Sequence, residues 1–227
     1  MRIAWMQPRQ GGESWSPVVA ADGSDRRTEW ACWHGNLLAQ RMPAVESWPS
    51  RRAIVRSGSL AEGDDPFVED PRHLMPARRH AAVPEQDRLV GPLAESGGTL
   101  LLRPHVRQVL SDVAGAADFL RRHRGERFGL ALAPADLITG SMLPRAEDLL
   151  VRTFEMLVPR LDPQRDVLIL GDLLAAEHEE ELPRLAPLGE GVLPWASCRR
   201  FAHAIPADLP ILLDAGTDPQ AMSFLAG

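Results

Sequence analysis

The segment Gly97-Gly98-Thr99-Leu100-Leu101-Leu102-Arg103-Pro104-His105 carries the clearest strand signal in the sequence. A glycine pair opens a short, continuous apolar run, and the run stops on a charged residue. That pattern fits a strand buried on both faces, as in a parallel sheet. Downstream, Ser111-Asp112 supplies helix N-cap chemistry. Val113, Ala116, Ala117 and Leu120 follow at helical spacing, and Arg121, Arg122 and His123 sit at the cation-favouring end. Phe128-Gly129-Leu130-Ala131-Leu132-Ala133 reads as the next strand. Pro144 precedes an amphipathic helix carrying Ala146, Leu149, Leu150, Phe154, Leu157 and Val158 on one face, and Pro159 stops it. Val167-Leu168-Ile169-Leu170 is a third strand. Trp195, Cys198, Ala202 and Ile205 mark a helix, Pro210-Ile211-Leu212-Leu213-Asp214 a strand, and Asp218-Pro219 opens a last helix. Strands alternating with helices predict parallel βαβ units, in a (β/α) barrel or a doubly wound sheet.

Upstream the pattern weakens. Arg2 to Met6 and Ala53 to Ser57 are strand candidates. Pro84 to Ser96 reads as a helix with Leu89, Val90, Leu93 and Ala94 on its apolar face and Gly97 at its end. Glu13 to Arg27 and Ala61 to Arg72 read as long loops. Five of the six Trp lie in the first 48 residues. They suit stacking on sugar rings, closure of a shortened barrel, or an oligomer or partner interface.

Composition narrows the function classes. The 227 residues carry 25 Lys+Arg against 31 Asp+Glu, a net charge of −6, which argues against a nucleic-acid binder. No apolar run is long enough for a membrane span or a signal peptide, and Cys32 and Cys198 make no disulfide scaffold. A cytoplasmic protein is the expectation. Every basic residue is Arg, so a Lys Schiff base and a phosphate-loop Lys are excluded. No strand is followed by a Gly-x-Gly-x-x-Gly turn, so a dinucleotide site has no support.

Several segments resemble one family. Gly97 to His105 is similar to the fourth strand of the sugar phosphate isomerase/epimerase family, the xylose isomerase-like TIM barrels, where Gly-x-x-Leu-x-Leu-Glu-x-His is common. Phe128 to Leu137 resembles its fifth strand, Val167 to Asp172 its sixth, the Gly-Glu-Gly of Gly189-Glu190-Gly191 a segment before its seventh helix, and Ile211 to Asp214 its last strand. The resemblance covers roughly residues 84–227. It implies a single α/β domain: a compact or incomplete (β/α)8 TIM barrel whose site lies at the C-terminal ends of the strands.

The resemblance also implies a divalent cation held by Glu, Asp, His and Glu. Here those places hold Arg103, Ala133, Ile169 and Asp214. Ala and Ile offer no ligand atom, and Arg brings a fixed positive charge to where the cation would sit. No cofactor and no metal are expected. A strand register displaced by one position would bring in Asp136 or Asp172 and readmit a divalent metal. His105, Asp136 and Asp214 are the candidate catalytic residues. Arg103, Asp172 and Glu190 are the candidate ligand-binding residues. Arg103 either pairs with Asp214 or holds a sugar carboxylate or phosphate. Against each stands a plainer role: an ion pair filling a vacated site, a loop histidine, a cap carboxylate, a strand-end loop residue. The expected function is a divergent isomerase/epimerase-like protein taking a small sugar-like or acidic ligand. The alternative is a non-catalytic barrel serving as a partner subunit.

Overall fold

In the computed structural model, the described residues are 2–6, 15–20, 29–62, 65–75, 77, 81, 83–123, 127–175 and 182–214. Eight strands form a closed ring: β1 (Arg2–Met6), β2 (Trp15–Ala20), β3 (Trp30–Trp33), β4 (Arg52–Arg56), β5 (Thr99–Arg103), β6 (Phe128–Leu132), β7 (Val167–Leu170) and β10 (Pro210–Asp214). The ring order is β1-β10-β7-β6-β5-β4-β3-β2. All neighbours pair in parallel except β2, which runs antiparallel to both β1 and β3. A two-stranded hairpin, β8 (Asp172–Leu173) with β9 (Leu185–Ala186), stands outside the ring.

The expectation of a barrel holds, and the ring is complete. Among the described residues there are three α-helices: α1 (Val83–Ser96), α2 (Val113–Arg122) and α3 (Ala146–Leu157). Each has the start or stop that its sequence announces. Asp112 accepts a hydrogen bond from Gly115 N at 2.6 Å and caps α2. Pro159 ends α3 in a short 3-10 turn. Trp195–Ala204, expected as a helix, is 3-10 rather than α. The expected last helix from Asp218 lies outside the described residues.

The first part needs correcting more. Glu13 to Arg27 was expected to be a loop, but Trp15–Ala20 within it forms β2. Trp30–Trp33 forms β3, which the sequence reading passed over. Residues 1–83 thus contribute four of the eight strands. Of the expected loop Ala61 to Arg72, the end turns into the 3-10 segment Pro71–Leu74.

Strand alternation sorts side chains into two cores. Ala4, Met6, Val18, Trp30, Ile54, Leu101, Ala131, Ala133, Val167, Ile169 and Leu212 fill the barrel, with Cys32 packed against them. The larger core lies between the strands and the helical layer, and takes Trp33, Trp48, Leu100, Leu102, Phe154 and Trp195. Trp15 packs against it too, its ring 6.1 Å from that of Trp48. Trp30, Trp33 and Trp48 are therefore core residues, with Trp15 packed against the core. At the N-terminal end of the barrel stands Arg52, at the start of β4. Its guanidinium lies 5.5 Å from the Trp30 ring, donates to Gln164 O at 3.1 Å and pairs with Glu29 at 3.2 Å. No described helix is long and apolar enough to cross a membrane.

Candidate functional site

Two inward-facing arginines end adjacent strands at the C-terminal mouth. In the register Arg56 pairs with Arg103. Alternation points both inward, because Ile54 and Leu101, two positions earlier, belong to the interior core. Two guanidiniums side by side repel unless an anion sits between them. Asp136 is that anion. It lies in the 3-10 turn Pro134–Leu137 directly after β6, with its side chain 1% exposed. Its Oδ2 accepts from Arg103 Nε at 2.6 Å and from Arg56 Nη1 at 2.6 Å, and its Oδ1 accepts from Arg103 Nη2 at 3.1 Å.

The charges set one another. Burial alone would raise the Asp136 carboxyl, but Arg103 and then Arg56 outweigh it and hold the group well below the usual carboxylate range. Burial lowers the Arg56 guanidinium to about 10; Asp136 opposes this and Arg103 adds to it. Arg56 stays charged at neutral pH.

His105 completes the cluster and is buried. Burial pushes its imidazole down to about 3. Asp136 opposes the shift, while Arg56, Arg103 and Arg107 reinforce it. At neutral pH it is a neutral ring whose Nδ1 accepts from Arg107 N at 3.1 Å. Phe67 covers this edge, its ring 4.7 Å from the His105 ring and 4.9 Å from the Arg56 guanidinium. Arg107 Nη1 donates to Phe67 O at 3.2 Å and ties that cover down. On the β2–β3 wall, Ser16 Oγ lies 2.7 Å from His34 Nε2. Ser16 pairs in register with the interior residue Cys32.

The structure thus brings together three of the six residues singled out from sequence: Arg103, Asp136 and His105. From the sequence, Arg103 either pairs with Asp214 or holds a sugar carboxylate or phosphate; among the described residues it holds the carboxylate of Asp136. Asp214 ends β10 opposite Met6 in the register, and its side chain lies outside the described residues. Asp172 is 1% exposed and its carboxylate is taken up by backbone. It accepts from Leu173 N at 2.8 Å, Leu193 N at 2.9 Å and Gly189 N at 3.1 Å. It organises the 187–193 segment. Gly189 there has φ +86°, and a Cβ on Gly191 would meet Asp172 Oδ1 at 2.3 Å, so two glycines flank Glu190 for steric reasons. Glu190 itself is exposed and, among the described residues, makes no ion pair with the arginine cluster. Arg56 and Phe67 were missed. The signal for Arg56 was available: it ends a strand candidate as Arg103 does.

Among the described residues the donor set does not fit a divalent cation. Ala133 and Ile169 are interior residues, as the resemblance placed them. Of the described carboxylates at the strand ends, Asp136 is already shared by two guanidiniums and Asp172 is taken up by backbone N–H groups. Among the described residues no three His, Cys, Asp or Glu side chains converge as ligands.

No family model matches the chain, and no curated protein matches it. Solved structures similar to it include a xylose isomerase domain protein from Planctomyces limnophilus, at 13% identity and a TM-score of 0.49 over 78% of this chain and 55% of that one. They also include a D-tagatose 3-epimerase-like protein, at 12% identity and 0.47 over 77% and 59%. A third is a xylose isomerase-like TIM barrel protein from Mycobacterium smegmatis in complex with magnesium, at 11% and 0.48 over 80% and 62%. This chain spans under two thirds of the length of each. The barrel itself rests on the strand pairing given above.

Proposed function

We propose that the chain binds a small acidic ligand, sugar-like or a simple acid, at the C-terminal mouth of the barrel. In this reading Arg56 and Arg103 stand where a metal-dependent barrel of this kind places its cation. One observation carries it: Arg56 commits only Nη1 to Asp136, and among the described residues its Nε and Nη2 meet no hydrogen-bond acceptor, at a mouth where its side chain keeps 20% exposure. A partly desolvated N–H edge without an acceptor is costly and favours an anion that joins it. A fixed guanidinium also supplies charge and hydrogen-bond direction to a carboxylate or phosphate, as a metal ion would, with no ion to lose. Neutral His105 beside the cluster adds a hydrogen-bonding ring. Chemistry of the isomerase or epimerase kind would draw its proton-transfer group from this neighbourhood.

The test is a thermal-shift and dialysis panel of sugar acids, sugar phosphates and matched neutral sugars, run with and without EDTA. The expected result is stabilisation by acidic members, unchanged by EDTA and lost in Arg56→Gln. Stabilisation by neutral sugars to the same degree, or only in the presence of added divalent metal, would overturn the reading.

A further inference from the structure

We infer that His105 is a specificity-determining residue: a fixed hydrogen-bond donor that selects a ligand with a carbonyl oxygen near its anionic group, an oxo acid rather than a hydroxy acid. The inference rests on the reading above and narrows it.

The backbone sets the tautomer. His105 Nδ1 accepts from Arg107 N at 3.1 Å. A ring nitrogen that accepts carries no proton, so the proton of the neutral ring sits on Nε2. The turn that presents Arg107 N is itself held. His105 N donates to Leu110 O at 3.0 Å, Val106 N to Asp136 O at 2.9 Å and Gln108 N to His105 O at 2.9 Å. Burial keeps the ring neutral, with its imidazole pushed down to about 3. His105 is therefore a donor at Nε2, and it has no accepting nitrogen left to offer.

That donor has no acceptor in the chain. Among the described residues Nε2 meets none, and His105 is only 7% exposed. A buried N–H without an acceptor is costly, and a ligand oxygen that reaches it removes the cost. Arg56 is in the same condition at Nε and Nη2. Phe67 is the neighbour the two groups share. Its ring lies 4.7 Å from the His105 ring and 4.9 Å from the Arg56 guanidinium. A ligand lodged beside Phe67 meets donors from both.

A set of donors selects among oxygens. The Arg56 edge takes two oxygens of an anion. A carbonyl oxygen nearby accepts from His105 Nε2 and brings no proton of its own. A hydroxyl can accept the same bond, but its own O–H then points among donors. The Asp136 carboxylate offers little relief, since Arg103 and Arg56 already engage both of its oxygens. In this role His105 holds a ligand oxygen and moves no proton.

The experiment reads the arginine Nε–H and histidine ring signals of ¹⁵N-labelled full-length protein at neutral pH. Two matched pairs are titrated at equal ionic strength: pyruvate against lactate, and acetoacetate against 3-hydroxybutyrate, so that two carbonyl spacings are sampled. In the free protein the His105 ring should show a protonated Nε2 and an unprotonated Nδ1. In the pair whose spacing fits, the oxo acid should shift Arg56 Nε–H and His105 Nε2–H together and saturably, at about one tenth of the concentration the hydroxy acid needs. His105→Phe keeps a ring against Phe67 and removes the donor, and it should bring the two members of that pair to parity. A ring protonated at Nδ1 instead, or hydroxy acids binding as tightly as oxo acids in both pairs, overturns the inference and leaves the anion site standing. A preference that survives in His105→Phe overturns the role of His105. If that variant does not fold, the wild-type His105 Nε2–H signal decides, and its failure to move with Arg56 overturns the role equally. No saturable shift of Arg56 by any of the four acids overturns both this inference and the proposed function.

Discussion

Arg103 grips Asp136 through two donors, Nε at 2.6 Å and Nη2 at 3.1 Å, and Arg56 shares the same Oδ2 at 2.6 Å. A buried triad of this kind is costly to break from one side, because the partners left behind keep their charge without water. Asp136→Ala is expected to destabilise the protein by about 3–5 kcal/mol in urea unfolding. Replacing all three together, as Arg56→Met, Arg103→Leu and Asp136→Leu, should recover most of that loss, since no buried charge is left unpaired. A triple variant as unstable as the single one would show that the cluster is held for packing rather than for charge.

His105 gives the pH dependence a definite sign. Burial lowers its folded pKa to about 3, well below the ordinary value of 6.5. The neutral ring favours the folded state, so this stabilisation is complete above about pH 6.5 and is lost as pH falls toward 3. Asp166 acts in the opposite sense. Burial pushes it up to about 6, so its contribution is present at low pH and is lost as pH rises through 6. Comparing His105→Gln with wild type isolates the histidine. Between pH 7.5 and 5 the wild type should lose on the order of 2 kcal/mol more than the variant. Parallel stability curves for the two proteins would place His105 in contact with water.

Asp172 holds three backbone N–H groups of the hairpin and the 187–193 segment. Asp172→Ala leaves those donors without a partner and is expected to cost about 2–3 kcal/mol. The damage should be local. Limited thermolysin digestion of the variant should cut between Leu185 and Leu193 well before the barrel unfolds, whereas the wild type should resist there. Equal digestion of both proteins would assign the segment's order to some other contact.

The second half of the barrel was legible because its strands are buried on both faces and so read as unbroken apolar runs: Thr99 to Leu102, Val167 to Leu170, Pro210 to Leu213. Pro and capping residues fixed the helices between them. β2 and β3 were not legible for the opposite reason. They are short and turned by antiparallel pairing, and their alternation is carried by Trp15 and Trp33 outside and Ser16, Val18 and Cys32 inside. Pro17 in the middle of β2 also reads as a break. At the site, the inward position of Arg103 was readable from its place after three leucines. Its partner was not, since Asp136 is 33 residues away in a turn after the next strand. Spacing along the chain carries no record of which carboxylate the barrel curvature brings to an arginine.

The metal question has a direct answer in solution. Two of the four positions that the sequence resemblance assigns to a cation are Ala133 and Ile169, both in the interior apolar core, and a third is Arg103, which is paired with Asp136. A divalent ion entering there would meet a guanidinium at close range and no neutral or anionic donor from β6 or β7. Binding to the folded state raises the melting temperature in proportion to the logarithm of occupancy. Melts in millimolar Mg²⁺, Mn²⁺ or Zn²⁺ and in EDTA should therefore coincide to within ~1 °C. The informative variant is Arg103→Glu, which restores a carboxylate but leaves Asp136 as a second buried anion. It should melt well below the wild type in EDTA and regain part of the difference in Mn²⁺, because the ion then replaces the charge that the arginine supplied. Wild-type protein stabilised by Mn²⁺ as strongly as Arg103→Glu would mean that a ligand set outside Arg103, Ala133 and Ile169 holds the ion, with Asp214 the first residue to change.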